Sequence, residues 1–368
     1  MKIAILGTRG IPNNYSGFEQ FAEFFSVYLV EKGHEVYVYN SHNHIYQEKT
    51  FQGVNIIHQF DPEYKMGTFG QFIYDFNCIL DSRKRKFDII LQLGYTSNSV
   101  WFFLLPNKPI IITNMDGLEW KRTKYSRPVR QFLKFAERLA TMSSDYLVSD
   151  SLGIQNFLKE KYNKESTYIA YGAHPFFNPD ESIIAKYNVK SYNYNMIMAR
   201  FEPENNLDMV LEGVMMSDDS TPILVVGNHN TKYGKYLKDK FASNQSIRFL
   251  GGIFNLEYLN NLRYFSNLYF HGHSVGGTNP SLLEAMASKA LIIAHNNEFN
   301  KGVLKDNAYY FSNKHDVEKI LKSIKKSTDF HKVEANFNAI VNEYNWEKIN
   351  GKYLQLFNDC YSRSKRGI

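Results

Sequence analysis

Cysteine is nearly absent from this 368-residue chain, and the two that occur, Cys78 and Cys360, have neither metal-ligand nor redox spacing. A disulfide framework and a zinc site are both unsupported, and a reducing compartment fits. A long apolar run is lacking too. The most apolar stretch, residues 101–112, is broken by Pro106, Asn107, Lys108 and Pro109, and it falls well short of the ~20 residues that cross a bilayer. The opening residues, MKIAILGTRG, pass directly into a strand-and-turn pattern, so no signal peptide is expected. Charge of one sign does not dominate: the net charge of +6 is spread as 20 basic against 17 acidic side chains in residues 1–172 and 23 against 20 in the remainder. Any meaningful basicity is therefore local.

What is present is ample core material, with 43% hydrophobic and 15% aromatic residues, in a chain long enough for two domains. Short β-branched runs alternate with amphipathic segments, the pattern of βαβ units and parallel sheets. Strands are predicted at residues 2–6, 35–39, 54–58, 88–92, 109–113, 146–148 and 167–170, with helices near 18–32, 69–86, 124–144 and 151–162. The second half repeats the alternation, with strands at 196–199, 223–226, 247–250, 268–271 and 291–294 and helices near 206–217, 233–243, 255–265 and 279–288. Gly172 and Pro175 interrupt the pattern and mark a linker, and from Asn313 onward it becomes all helical. The expected fold is α/β, with two doubly wound Rossmann-like domains, 1–172 and 173–345, facing a cleft. Residues 346–368 are expected to pack back toward the N-terminal domain as a helix, with Ser362 to Arg366 as a solvated tail.

The loop after the first strand, Gly7-Thr8-Arg9-Gly10-Ile11-Pro12, places Arg9 where a dinucleotide fingerprint needs its middle glycine, which counts against a dehydrogenase. It continues to Ser16-Gly17-Phe18-Glu19, where helix N–H groups near Gly17 could face an anion; a tight structural turn is the other reading. In the second half, His271 to Met286 follows a strand, exposes backbone at Gly276 and Gly277, and enters a helix at Thr278 or Asn279, ahead of Pro280 and Ser281. Such a helix start binds phosphate, and Glu284, about one turn on, is in reach of a ribose hydroxyl. A capped core helix is the plainer alternative. Arg200 stands at the carboxyl edge of a strand, where its planar fork suits a diphosphate. Gly227 and Gly251, at two further edges, form the rim of a base pocket on this reading.

In the first half, the strand at 109–113 runs into Asp116-Gly117-Leu118-Glu119, and Asp116 can take or orient an acceptor proton. Alternatively, Asp116 and Glu119 cap a helix and pair with Lys121 and Arg122. Residues 120–138 hold seven basic side chains, Lys121, Arg122, Lys124, Arg127, Arg130, Lys134 and Arg138, against Glu137 alone. With Phe132, Leu133, Phe135 and Leu139 interleaved, the stretch reads as an interfacial helix for anionic lipid, or as a solvated helix face. Nucleic acid fits less well, because no recognition signature accompanies the charge.

Together these segments resemble the GT4 family of retaining GT-B glycosyltransferases, and most closely a bacterial branch, including rhamnosyltransferases, with G-T-R-G-I-P and D-G-L-E-W-K-R motifs, here at Gly7–Pro12 and Asp116–Arg122. The resemblance implies an acceptor-binding N-terminal domain and a nucleotide-sugar-binding C-terminal one. It implies that Arg200 contacts the donor diphosphate, with Asn205 where the family has lysine. Glu284 matches the second glutamate of the family's E-x7-E motif, while Gly276 replaces the first, and Met115 stands where a histidine is common. The implied activity is retaining transfer of a sugar, L-rhamnose from dTDP-L-rhamnose, to a saccharide or polyprenyl-pyrophosphate-linked acceptor in cell-surface polysaccharide synthesis. A UDP-hexose or UDP-N-acetylhexosamine donor, or a non-catalytic sugar-nucleotide-binding protein, is the alternative. No D-x-D motif occurs, so neither a metal nor another cofactor is expected. A cytoplasmic enzyme, peripheral on the inner face of the membrane, is the corresponding expectation for location.

Overall fold

The computed structural model describes residues 1–14, 17–122 and 124–366; Ser16, quoted above in the loop before the first helix, lies outside the described residues. In chain order the first elements are β1 (Lys2–Leu6), α1 (Gly17–Glu31), β2 (Glu35–Ser41), β3 (Thr50–Phe51), β4 (Val54–Gln59), α2 (Glu63–Met66) and α3 (Phe69–Ser82). They continue with β5 (Ile89–Leu93), β6 (Ile110–Asn114), α4 (Arg127–Ser143), β7 (Tyr146–Ser149), α5 (Leu152–Tyr162) and β8 (Thr167–Tyr168). After α6 (Ser182–Ala185) come β9 (Asn195–Met198), α7 (Leu207–Met216), β10 (Ile223–Val226), α8 (Lys232–Lys240), β11 (Ile247–Gly251) and α9 (Leu256–Phe265). The remainder is β12 (Tyr269–His271), α10 (Pro280–Ala287), β13 (Ile292–His295), α11 (Glu298–Leu304), β14 (Tyr309–Phe311), α12 (Lys314–Ser323), α13 (Phe330–Ala339) and α14 (Trp346–Arg366).

The chain divides into two units, one of Met1–Trp120, Ser126–Tyr171 and Trp346–Ile368, the other of Lys121–Tyr125 and Gly172–Asn345. The first holds a sheet of order β3-β4-β2-β1-β5-β6-β7-β8, parallel except for the antiparallel pair β3 and β4. Strands β5 and β6 are buried along their whole length, as expected when helices cover both faces of a parallel sheet. Helix α14 belongs to this unit. Its Tyr353 ring sits 4.7 Å from Phe21 and 5.1 Å from Phe25, and Phe357 meets Phe25 at 5.4 Å. The helix runs on to Arg366, so the residues expected as a tail are its exposed last turn.

The second unit carries a fully parallel sheet of order β11-β10-β9-β12-β13-β14. Its core packs α7 and α12 on the strands through Leu207, Val210, Leu211, Val317 and Ile320. Asparagine starts several helices here: Asn255, Asn279, Asn297 and Asn313 each accept a hydrogen bond from an N–H of the first turn, and each such cap contributes about 1 kcal/mol.

Candidate functional site

An open α/β sheet binds ligands outside the carboxyl ends of its strands, at the point where strand order reverses. In the second unit that point lies between β9 and β12. The connection leaving β9 carries Arg200, which is exposed. Its carbonyl accepts hydrogen bonds from Glu202 N at 2.8 Å and from Asn205 Nδ2 at 2.7 Å. Asn205 is buried, so the structure places its amide beneath Arg200, fixing the turn that presents the guanidinium. The two connections touch at Gly272, where a Cβ would lie 2.1 Å from the Asn205 carbonyl oxygen, so only glycine fits.

Beyond β12 the His273 ring stacks on His271 at 4.4 Å. Among the described residues neither ring nitrogen of the buried His271 has a partner. Burial pushes the His273 pKa down to about 3, with the Arg200 charge acting in the same direction, so the imidazole is neutral. The His273 carbonyl is held by Asn297 Nδ2 at 3.0 Å and Asn300 Nδ2 at 3.1 Å, and Ser274 donates through N and Oγ to the Glu204 carbonyl. Gly276 and Gly277 follow, partly exposed, and Thr278 is buried. Asn279 Oδ1 accepts from Ser281 N at 2.9 Å and Ser281 Oγ at 2.8 Å, with Pro280 at the first helical position, which sets the start of α10.

Glu284, one turn into α10, accepts a hydrogen bond from Arg263 Nη2 at 2.7 Å. Arg263 is fully buried while Glu284 is 21% exposed. Burial drives the Arg263 guanidinium toward neutrality, but the charge and hydrogen bond of Glu284, together with the neighbouring Tyr269, outweigh it and leave its pKa above the usual value. Sequence reasoning missed Arg263: it sits on α9 with no motif around it, and only the fold reveals the pairing. At the other end of the sheet Gly227 N donates to the Gly251 carbonyl at 2.9 Å, beside the rings of Phe201, His229 and Phe249.

In the first unit the reversal lies between β1 and β5. Gly7, at φ +83°, allows the close approach, since a Cβ there would meet the Leu93 carbonyl oxygen at 2.3 Å. Gly17 is the first residue of α1. Two residues on, buried Glu19 accepts from Thr8 Oγ1 at 3.1 Å and Arg9 N at 2.8 Å. The anion at this helix start is therefore the protein's own carboxylate. Arg9 is held in turn by both oxygens of Glu63 at 2.8 Å.

Asp116 follows β6 in the left-handed region at φ +52°, its N–H donating to Asn114 Oδ1 at 2.9 Å. It lines a cavity of about 140 Å³ at the β1–β5 reversal. Glu119 is not among the lining residues; it begins the 3-10 turn Glu119–Lys121.

The basic stretch is not one continuous helical face. Lys121, Arg122 and Lys124 precede α4, and Lys134 lies over the Trp120 ring at 4.6 Å. Glu137 is buried, bound to Trp120 Nε1 at 2.9 Å, Lys161 Nζ at 3.0 Å and Tyr162 Oη at 2.6 Å. Leu133, Ala136 and Ala140 point inward, whereas Arg127, Phe135, Arg138 and Met142 are exposed. Arg130 is partly buried. Among the described residues no helix is long and apolar enough to cross a membrane.

Residues 180–359 match the family model of glycosyl transferases group 1, and residues 1–174 match a domain of unknown function, DUF1972. No curated protein matches in sequence. Solved structures do match in fold. A sucrose-phosphate synthase from Thermosynechococcus elongatus aligns with TM-score 0.80 and 14% identity over 98% of this chain and 99% of its own. HepE from Anabaena, solved in complex with UDP and glucose, aligns with TM-score 0.74 and 12% identity over 97% and 99%. WaaG, a glycosyltransferase involved in lipopolysaccharide biosynthesis, aligns with TM-score 0.72 and 12% identity over 97% and 99%. The architecture is thus the two-domain α/β fold of GT-B structures.

Proposed function

We propose, with residues 180–359 forming a group 1 glycosyl transferase domain as the premise, that the chain transfers a sugar from a nucleotide diphosphate to a saccharide acceptor. The observation that carries the reading is the β9–β12 reversal point, where exposed Arg200, the start of α10 and the anchored Glu284 converge on one sheet edge. Arg200 offers a charge-assisted fork to the diphosphate, and the N-terminus of α10 adds its partial positive charge. Glu284, held by Arg263, accepts a ribose hydroxyl. These groups offset the charge of the leaving diphosphate, so turnover needs no divalent cation.

On the acceptor side Asp116 orients or deprotonates the attacking hydroxyl. Glycine at position 276, where a carboxylate would contact the donor sugar, favours a donor whose hydroxyl pattern differs from glucose. dTDP-L-rhamnose is the donor proposed, with retention of configuration. UDP-glucose is the rival, favoured by the complex of HepE with that donor. The acceptor proposed is lipid-linked, approached from an anionic membrane. Arg127, Phe135, Arg138 and Met142 on α4, with exposed Phe102 and Phe103 on the turn packed against it, give a face that combines cationic and apolar groups suited to such lipid.

The test is incubation of the pure protein with a panel of sugar nucleotides and a polyprenyl-pyrophosphate-GlcNAc acceptor, with products analysed by mass, in EDTA and in magnesium. Transfer from dTDP-L-rhamnose in EDTA is expected. Transfer from UDP-glucose alone overturns the donor assignment, and activity lost in EDTA and restored by magnesium overturns the charge account. Tight nucleotide binding without transfer from any donor favours a non-catalytic sugar-nucleotide-binding protein.

A further inference from the structure

The cavity at the β1–β5 reversal is small, and its lining is chemically one-sided. Its volume of about 140 Å³ is well below the ~300 Å³ at which pockets for drug-sized ligands begin, which suits a single sugar ring. Four carboxyl groups, Asp61, Glu63, Asp75 and Asp116, line it, against one cation among the described residues, Arg9. That cation is already spent. Both Arg9 nitrogens that donate to Glu63 do so at 2.8 Å, and Gln71 Nε2 closes the second Glu63 oxygen at 2.7 Å. A phosphate or carboxylate entering here meets excess negative charge and no available guanidinium.

Hydroxyl groups meet the opposite situation. Asn98 is 3% exposed, and its Nδ2 donates to the Gly94 carbonyl at 2.9 Å while its Oδ1 has no donor among the described residues. A buried acceptor without a donor is costly, and a ligand O–H supplies what is missing. Asp75 lies beside it in the lining, its Oδ2 accepting from Ser97 Oγ at 2.5 Å. Burial raises the Asp75 pKa to about 7, with the Ser97 bond opposing the rise, so near neutrality the carboxyl serves as donor or acceptor. The rings of Phe18 and Tyr95 complete the lining with apolar surface, the pairing of polar edge and flat face that a pyranose presents.

We propose that this cavity holds one hydroxyl-rich ring of the acceptor, uncharged except at its anomeric link, and rejects rings that carry carboxylate or phosphate at C6. The proposal rests on the transferase reading for the word acceptor, but the binding site is testable without transfer. Saturation-transfer NMR on the full chain, with no nucleotide present, compares methyl glucoside and methyl galactoside with glucuronate and glucose 6-phosphate at tens of millimolar.

Signal from at least one neutral glycoside and none from the two anions is expected. Asn98→Leu, which keeps the volume and removes the acceptor, should weaken that binding about fivefold or more, and Asp75→Asn should weaken it as well, with far-UV circular dichroism showing both variants folded. If Asp75→Asn disturbs the fold, Ser97→Ala replaces it. Equal binding of the anions, no binding of either neutral glycoside, or binding indifferent to these substitutions each overturns the proposal. Failure of sugar transfer in the donor panel, with Asn98-dependent glycoside binding intact, would overturn the transferase reading and leave the cavity as a sugar site.

Discussion

Replacing Glu284 with alanine does more than remove a contact to nucleotide, because its partner is a guanidinium with no access to water. Arg263 is fully buried, and it also bonds to the neutral groups Asn260 Oδ1 at 3.2 Å and Met198 Sδ at 3.3 Å. Breaking a buried ion pair from one side costs ~3–5 kcal/mol, and the 21% exposure of Glu284 points to the lower end. For a unit of this size ~3 kcal/mol lowers Tm by roughly 6–12 °C.

Glu284→Gln keeps an oxygen for Arg263 and should lose less. Adding Arg263→Met to Glu284→Ala removes the stranded charge, so the double variant should be more stable than Glu284→Ala alone. Urea titration of the three variants reads these differences, and calorimetry with UDP and dTDP on the folded fraction reads nucleotide affinity. A Glu284→Ala protein within ~1 kcal/mol of the parent, or a double variant no better than the single, would refute the claim that this pair anchors the site.

Arg200→Ala should weaken nucleotide diphosphate binding by ~2 kcal/mol or more, read by the same calorimetry, and should leave the unfolding midpoint unchanged because the residue is exposed. Asp116→Asn should lower kcat ~10²- to 10⁴-fold with donor affinity intact, and Glu119→Gln, outside the cavity lining, should do less; steady-state kinetics checks both. Sedimentation with anionic vesicles should show reduced binding when Arg127, Phe135, Arg138 and Met142 are replaced together by glutamine, while turnover of a short soluble acceptor persists.

Lys326 supplies a pH test. Burial, reinforced by Lys289, lowers its pKa to about 7, against ~10.4 in the unfolded chain. Between those values the unfolded state binds the extra proton, so stability rises with pH across the window. Denaturation midpoints should climb from neutral toward alkaline pH in the parent and lose that climb in Lys326→Met.

Much of the fold was legible because strand and helix periods are long-range averages. The strands from β1 to β13, apart from β3, fall on predicted runs, whereas β3 and β14 were missed, their two and three residues being lengths at which a period need not show. Helix α2 and α6, four residues each, escaped for the same reason. Motifs located both reversal points through Gly7 and Arg200, since such loops need glycine and place charge at strand ends. What could not be read were pairings between distant positions: Arg263 with Glu284, and Arg9 with Glu63. Each is an ordinary charged residue on a helix or loop until the sheet order brings the elements together. In the basic stretch the interleaving of apolar residues did not say which way each points: Leu133 and Phe135 lie on opposite sides of α4, one buried and one exposed.

The position of α14 has a consequence for how the protein comes into being on the ribosome. Phe21 and Phe25 leave the exit tunnel before the whole of the second unit, yet their partners Tyr353 and Phe357 leave it only after that unit. Although domains usually mature in N-to-C order during translation, here the first sheet must wait with an uncovered aromatic surface while the second unit, almost contiguous from Gly172 to Asn345, can close around its own core. The nascent N-terminal unit is therefore the one that a chaperone would guard, and a stop codon ahead of Trp346 would leave that surface permanently bare.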